Sequence, residues 1–170
     1  LFRKDARRGG LSLELRVVGT TPEWFQLVRR PVVAGRVLVR EDQERQAPAA
    51  VLTEYGARRL LATGGSVGEI IRIGNDHFEV VGIVRSEGGQ AGNIQVPDRE
   101  VDAYTPIALA RAYFGDIVTR RSAGSWIREK VELHQIIVET DRPETVESTA
   151  AGIEVMLERF HRKKDYAVSV

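Results

Sequence analysis

Two β-rich runs, Glu69 to Ile73 and His77 to Val84, flank Gly74-Asn75-Asp76, and this stretch carries the most definite local pattern in the chain. The flanks are rich in β-branched and aromatic residues, and Gly or Asn can supply the left-handed position of a three-residue connection. An antiparallel hairpin is therefore expected here, and the rest of the fold has to be built around it. A second constrained piece lies upstream. From Leu11 to Val18, Leu11, Leu13, Leu15 and Val17 alternate with Ser12, Glu14 and Arg16, the period of two that marks a half-buried strand. Gly9-Gly10 signals a turn before it, which makes Leu1 to Arg8 the frayed end of a preceding strand.

Short elements follow one another along the middle of the chain. Thr21-Pro22 opens a short amphipathic helix carrying Trp24, Phe25, Leu27 and Val28, with Pro22 at a first helical position where its missing N–H costs nothing. Ala49 to Leu52 reads as a buried strand, after which Thr53 is placed to cap a helix with apolar positions Ala57, Leu60 and Leu61. Thr63-Gly64-Gly65-Ser66 stops that helix. Glu87 to Asn93 reads as a mobile loop, Tyr104-Thr105-Pro106 as an extended segment, and Ile107 to Phe114 as a short helix. Thr119 to Ser125 is a second polar separator.

The last helix has the clearest pattern. Asp141 is placed to cap it, Pro143 sits in its first turn, and Val146, Ala150, Ile153, Leu157 and Phe160 form one apolar stripe. Glu144 and Glu147 lie near its positive end, and Arg159, Arg162, Lys163 and Lys164 near its negative end, both favourable to the helix. Strands are expected across Val131 to Glu139 and Tyr166 to Val170, giving a right-handed β-α-β unit with parallel strands. The expected fold class is α+β: a mixed α/β layer from the chain ends, with a β-rich insertion between them.

Composition excludes several functions. The 170 residues are 42% hydrophobic and 29% charged, as in an ordinary globular protein, and carry a net charge of +1. Phosphate recognition on a nucleic acid leaves a clustered basic excess, so no nucleic-acid partner is expected. The absence of Cys removes disulfides, thiolate metal sites and Cys nucleophiles. No run approaches the roughly 18 consecutive apolar residues of a spanning helix. The chain does not begin with Met and shows no signal-peptide pattern, so it reads as an excised piece of something longer.

Nothing in the motifs spells out a reaction. His77, His134 and His161 occur at no shared helical spacing, and no carboxylate set joins them, so no metal site is expected. Glu41, Asp42 and Glu44 form the densest acid cluster and read as a solvated loop. Ser66 and Ser125 lack a nucleophile elbow, and neither Gly64-Gly65-Ser66-Val67-Gly68 nor Gly88-Gly89-Gln90-Ala91-Gly92 has the Lys or the strand-to-helix setting of a phosphate loop. No catalytic residue, cofactor or metal ligand is assigned. One candidate partner contact stands out: Arg120, Arg121, Trp126 and Arg128, either an exposed basic and aromatic patch for a protein or anionic head groups, or, for Trp126, a plug between subdomains.

A dispersed series of phrases completes the reading. Gly19-Thr20-Thr21-Pro22-Glu23-Trp24-Phe25, Ala34-Gly35-Arg36, Ala50-Val51-Leu52-Thr53-Glu54 with Ala57-Arg58-Arg59-Leu60, Gly68-Glu69-Ile70-Ile71-Arg72-Ile73 and Phe78-Glu79-Val80-Val81-Gly82-Ile83 occur in this order. Together they resemble the periplasmic core domain of ABC transporter permeases of the macrolide-efflux, MacB-like type. The resemblance implies a mixed α/β "porter"-like part from 1–27 and 128–170, and a β-rich "sabre"-like insertion over 28–127. It implies an extracytoplasmic, non-catalytic domain between transmembrane helices of an inner-membrane protein. Implied partners are the permease's own transmembrane helices, a cytoplasmic ATPase domain or subunit, a second permease copy and a periplasmic adaptor. The glycines of Ala34-Gly35-Arg36 and Val81-Gly82 would be fold determinants. Family domains begin with a further strand and helix, whereas about ten residues precede the first clear strand here. Within the class, efflux, lipoprotein release and control of cell-wall hydrolases all use related permeases. A stand-alone soluble ligand-binding α+β protein is the rival from another class.

Overall fold

In a computed structural model of the chain, the described residues are 1–61, 66–86, 101–115, 117–122, 125–130, 133–161 and 164–170, with backbone alone described for 117–122 and 125–130. Seven strands form one sheet: β1 (Phe2–Arg8), β2 (Leu11–Thr20), β3 (Val32–Gly35), β4 (Ala49–Thr53), β5 (Ile70–Ile73), β6 (Asp76–Val84) and β7 (Ala103–Pro106). Their order is β3-β6-β4-β7-β2-β1-β5, and β5 also pairs with β6. That last pairing closes six strands on themselves and removes the open edges that a flat sheet would present. β6 is long enough to serve both neighbours in turn: Asp76 to Glu79 ladder with β5, and Gly82 to Val84 with β3. β2 runs parallel to β7 and β4 parallel to β6, while the other ladders are antiparallel.

Each ring strand sends alternate residues into one core: Ala6, Leu15 and Val17, Ala50 and Leu52, Ile71 and Ile73, Phe78 and Val80, and Ala103. The period of two read in Leu11 to Val18 is therefore the inward face of β2. Four short helices cover the sheet: α1 (Pro22–Val28), α2 (Arg40–Glu44), α3 (Glu54–Leu60) and α4 (Ile107–Phe114). Leu60 and Leu61 at the end of α3 and Leu109 of α4 join the inner core. A second core forms on the other face from Phe25, Leu38, Ala49, Val51, Val81, Val84, Val101 and Tyr104. Each of the larger apolar side chains so buried contributes about 1.5–3 kcal/mol.

Most local expectations hold. The Thr53 hydroxyl accepts the Gly56 N–H at 3.0 Å and so caps α3, while donating to the Val101 carbonyl at 2.8 Å. Pro22 occupies the first turn of α1, and α4 spans Ile107–Phe114 as the sequence predicts. The hairpin is present with a shorter connection, because Ile73 pairs with Asp76 and leaves only Gly74-Asn75 in the loop. Leu1 to Arg8 does not fray. β1 pairs with β2 from Phe2↔Val17 to Arg8↔Leu11.

Three readings are corrected. In the polar separator Thr119 to Ser125, residues 119–122 belong to β8 (Ile117–Ser122) and Ser125 opens β9 (Ser125–Lys130), and the two strands pair antiparallel; Thr, Ile and Trp supply β-propensity that the charges conceal in a hydropathy pattern. Among the described residues 133–139 and 164–170 there is no strand, so the expected β-α-β unit is not formed there. A strand exists only through a partner, and neither segment has one among those residues. Asp141 makes no cap: the chain enters through a 3₁₀ turn at Pro143–Thr145, with the Thr145 hydroxyl on the Arg142 carbonyl, before α5 (Val146–Phe160). The expected loops at Thr63 to Ser66 and Glu87 to Asn93 fall largely or wholly outside the described residues.

By contact density the chain divides into Leu1–Glu132 and Leu133–Val170. The ladders β1–β5 and β2–β7 join residues of 1–27 to residues of 28–127. In the second unit, Val146, Ala150, Ile153 and Leu157 are half-buried and Phe160 is exposed.

Candidate functional site

The candidate contact residues lie on the β8–β9 hairpin. Arg121 stands opposite Trp126, Thr119 opposite Arg128 and Arg120 opposite Ile127. Strand periodicity therefore puts Arg121, Trp126 and Arg128 at positions of one face and Arg120 at a position of the other. The sequence grouped the four; the register separates one from three.

Around the sheet, the phrases that are scattered in sequence meet in space. Gly35 pairs with Gly82, and the Arg36 N–H donates to the Val81 carbonyl at 3.0 Å. Gly35 has φ +67, open to Gly at little cost, and a methyl on Gly82 would run into the Arg36 carbonyl. Trp24 and Phe25 pack on Tyr104, with ring centroids 4.7 and 5.5 Å away, and Arg30 lies 5.3 Å from the Trp24 centroid.

Two buried carboxylates lock this arrangement. Asp42 is only 6% exposed and takes both Arg36 guanidinium nitrogens at 2.6 and 3.0 Å, together with the Val39 N–H at 2.9 Å. The expected solvated loop at Glu41, Asp42 and Glu44 is thus a short helix anchored by a buried ion pair, because the turn at Gly35 brings Arg36 back over it. Burial works to raise the Asp42 carboxyl, but the guanidinium and the Val39 N–H outweigh it and hold it below the usual carboxylate value. The same bond raises the Arg36 guanidinium.

Asp102 is fully buried. Its carboxylate accepts from Arg59 at 2.6 Å and from the Arg16 N–H at 2.7 Å, and its backbone N–H and carbonyl bond Arg16 and Thr53. Through its side chain and backbone together, this one residue ties β2, β4 and α3 to the start of β7. Sequence reasoning passed over it, although an acid between Val101 and Ala103 in an apolar run was a signal that a basic partner had to be found.

The three histidines do not converge. His77 is exposed on β6, His134 lies in the second unit, and His161 bonds Asp165 at 2.7 Å. Ser66 is exposed and directs its hydroxyl to the Val67 carbonyl. Among the described residues no group of three His, Asp or Glu could hold a metal ion, and no helix is long and apolar enough to cross a membrane. The arrangement can hold a shape and present a surface.

Comparison with known proteins agrees with this. The family model of the MacB-like periplasmic core domain matches residues 2–155. A pyoverdine export ATP-binding/permease protein, PvdT of Pseudomonas putida, is 28% identical over 104 residues, covering 61% of this chain and 16% of that protein. A macrolide export ATP-binding/permease protein, MacB 1 of Yersinia pestis bv. Antiqua, is 27% identical over 125 residues, covering 69% of this chain and 19% of that protein. The chain thus spans under a fifth of the length of these relatives. Among solved structures, the periplasmic region of MacB from Actinobacillus actinomycetemcomitans superposes with a TM-score of 0.69 at 18% identity, covering 99% of this chain and 67% of that one. The extracellular domain of the ABC-type transporter YknZ from Gram-positive bacteria gives 0.69 at 16%, with 99% and 77% covered. The mixed α/β architecture is that of these domains, and the chain belongs to the MacB-like periplasmic core domain family, the extracytoplasmic part of ABC transporter permeases.

Proposed function

We propose that this domain works for an export permease without chemistry of its own, passing conformational change driven by a cytoplasmic ATPase to the far side of the membrane. The observation that carries the reading is the family match over residues 2–155, joined to relatives named for pyoverdine and macrolide export. A ring of strands tied by Asp102 suits such work, because a cross-braced body transmits displacement instead of absorbing it. In this account the permease works as a pair of copies, and the face of β8–β9 carrying Arg121, Trp126 and Arg128 meets a periplasmic adaptor. The grouping of 1–27 with 128–170 as porter-like, and of 28–127 as sabre-like, stays a proposal within it.

The test is uncoupling in the full-length permease. Trp126→Ala combined with Arg121→Glu should lower export and adaptor recovery at least tenfold while ATP hydrolysis continues. Undiminished export and adaptor recovery would overturn the assignment of this face, and loss of ATP hydrolysis alongside export would point to damage of the whole assembly.

A further inference from the structure

The outer face of the ring carries an electrostatic arrangement that the transport role leaves unexplained. The ladders place Ser12, Arg7, Arg72 and His77 in one row across β2, β1, β5 and β6. Arg7 and Arg72 are directly opposed, a pairing of like charges that weakens a sheet. Among the described residues, no carboxylate lies within ion-pairing distance of either guanidinium. The Arg72 Nε is also shut off from solvent with no acceptor, which costs stability.

Arg7 and Arg72 both line a shallow cavity of about 430 Å³, together with Gly74 and Asn75 of the turn. Two further charges on its wall answer each other, since Arg3 Nη1 lies 3.8 Å from Glu14 Oε1. Asp5 alone remains to oppose Lys4, Arg7 and Arg72, so the cavity keeps a positive excess.

We propose that this cavity binds a phosphate group, held between Arg7 and Arg72. A carboxylate has two oxygens, which one guanidinium fork already occupies. A phosphate offers three or more, enough to accept from both guanidinium groups at once. A single anion then removes the like-charge opposition. The site lies outside the candidate partner face, and its binding of phosphate does not depend on which substrate the permease moves.

The experiment titrates inorganic phosphate into the isotope-labelled 170-residue chain at constant ionic strength, with chloride as control. Saturable amide shifts are expected at Arg7, Arg72, Gly74 and Asn75. Arg72→Gln and Arg7→Gln should each weaken binding at least tenfold, and Arg3→Gln less than twofold. Without phosphate, Arg72→Gln should melt no lower than the parent. At tenfold excess over the midpoint, phosphate should raise the parent's melting temperature by about 3 °C and leave that of Arg72→Gln unmoved. Flotation with phosphatidylglycerol vesicles separates the sources: Arg72-dependent flotation assigns the phosphate to a lipid head group, and phosphate binding without flotation assigns it to a soluble ion. Shifts that do not saturate, that chloride reproduces, or that survive Arg72→Gln would overturn the proposal.

Discussion

The Arg36 carbonyl decides what can stand at position 82. A Cβ there collides with backbone, which cannot rotate away as a side chain would, so Gly82→Ala should cost about 1–3 kcal/mol, read as a lower urea midpoint with an unchanged slope. Asp42 makes a second residue-level claim, this one about pH. Its folded carboxyl is held below the unfolded value of 3.8, so its contribution is present above that value and is lost as pH falls through the folded one. Arg36→Ala leaves that carboxylate buried and short of its main partner. With Arg36 half-exposed, the cost at pH 7 should be about 1–2 kcal/mol, and denaturation at a series of pH values should find the gap between variant and parent closing below pH 3.8. A gap of constant size would remove the ion pair from the account. At this scale the sequence told part of the story. It marked Gly35 and Gly82 as fold determinants, but it could not tell that Arg36 and Asp42, or Asp102 and Arg59, are partners, because no local spacing encodes a contact made across the sheet.

Elements were legible where a cap, a turn or a period acted alone. Thr53 sits between strand and helix with an N-cap residue's chemistry, and it both caps α3 and reaches the Val101 carbonyl. Thr53→Ala should therefore cost about 1–2 kcal/mol, near the upper end for a cap, while Thr53→Ser should recover most of it, as measured by chemical denaturation. Equal loss in both variants would mean that packing of the methyl matters more than the hydroxyl. The β8–β9 hairpin was missed for the opposite reason: its arginines and serines read as solvated loop, and only the alternation of Thr119 and Arg121 opposite Arg128 and Trp126 gives it away once a register is known. The expected strands on either side of α5 rested on composition alone. Val138 and Val168 have β-prone side chains, yet a strand needs a neighbour to ladder with, and composition does not supply one.

For the molecule as a whole, the order of the phrases carried more information than any one of them. Their order made the family legible, and the structure gives the physical reason: Trp24 and Phe25 need Tyr104, Gly35 needs Gly82, and Thr53 needs Val101 and Gly56. What stayed illegible was the closure of the sheet, since the ladder between β1 and β5 joins segments far apart in the chain. The central claim is that this body lies outside the cytoplasm as part of an export permease. The chain contains no Cys, and Ser66 is exposed at a turn, so Ser66→Cys provides a single reporter thiol in a full-length permease otherwise freed of cysteine. Treating intact cells with a maleimide that does not cross the inner membrane should label this thiol fully; labelling that appears only after lysis would contradict the account.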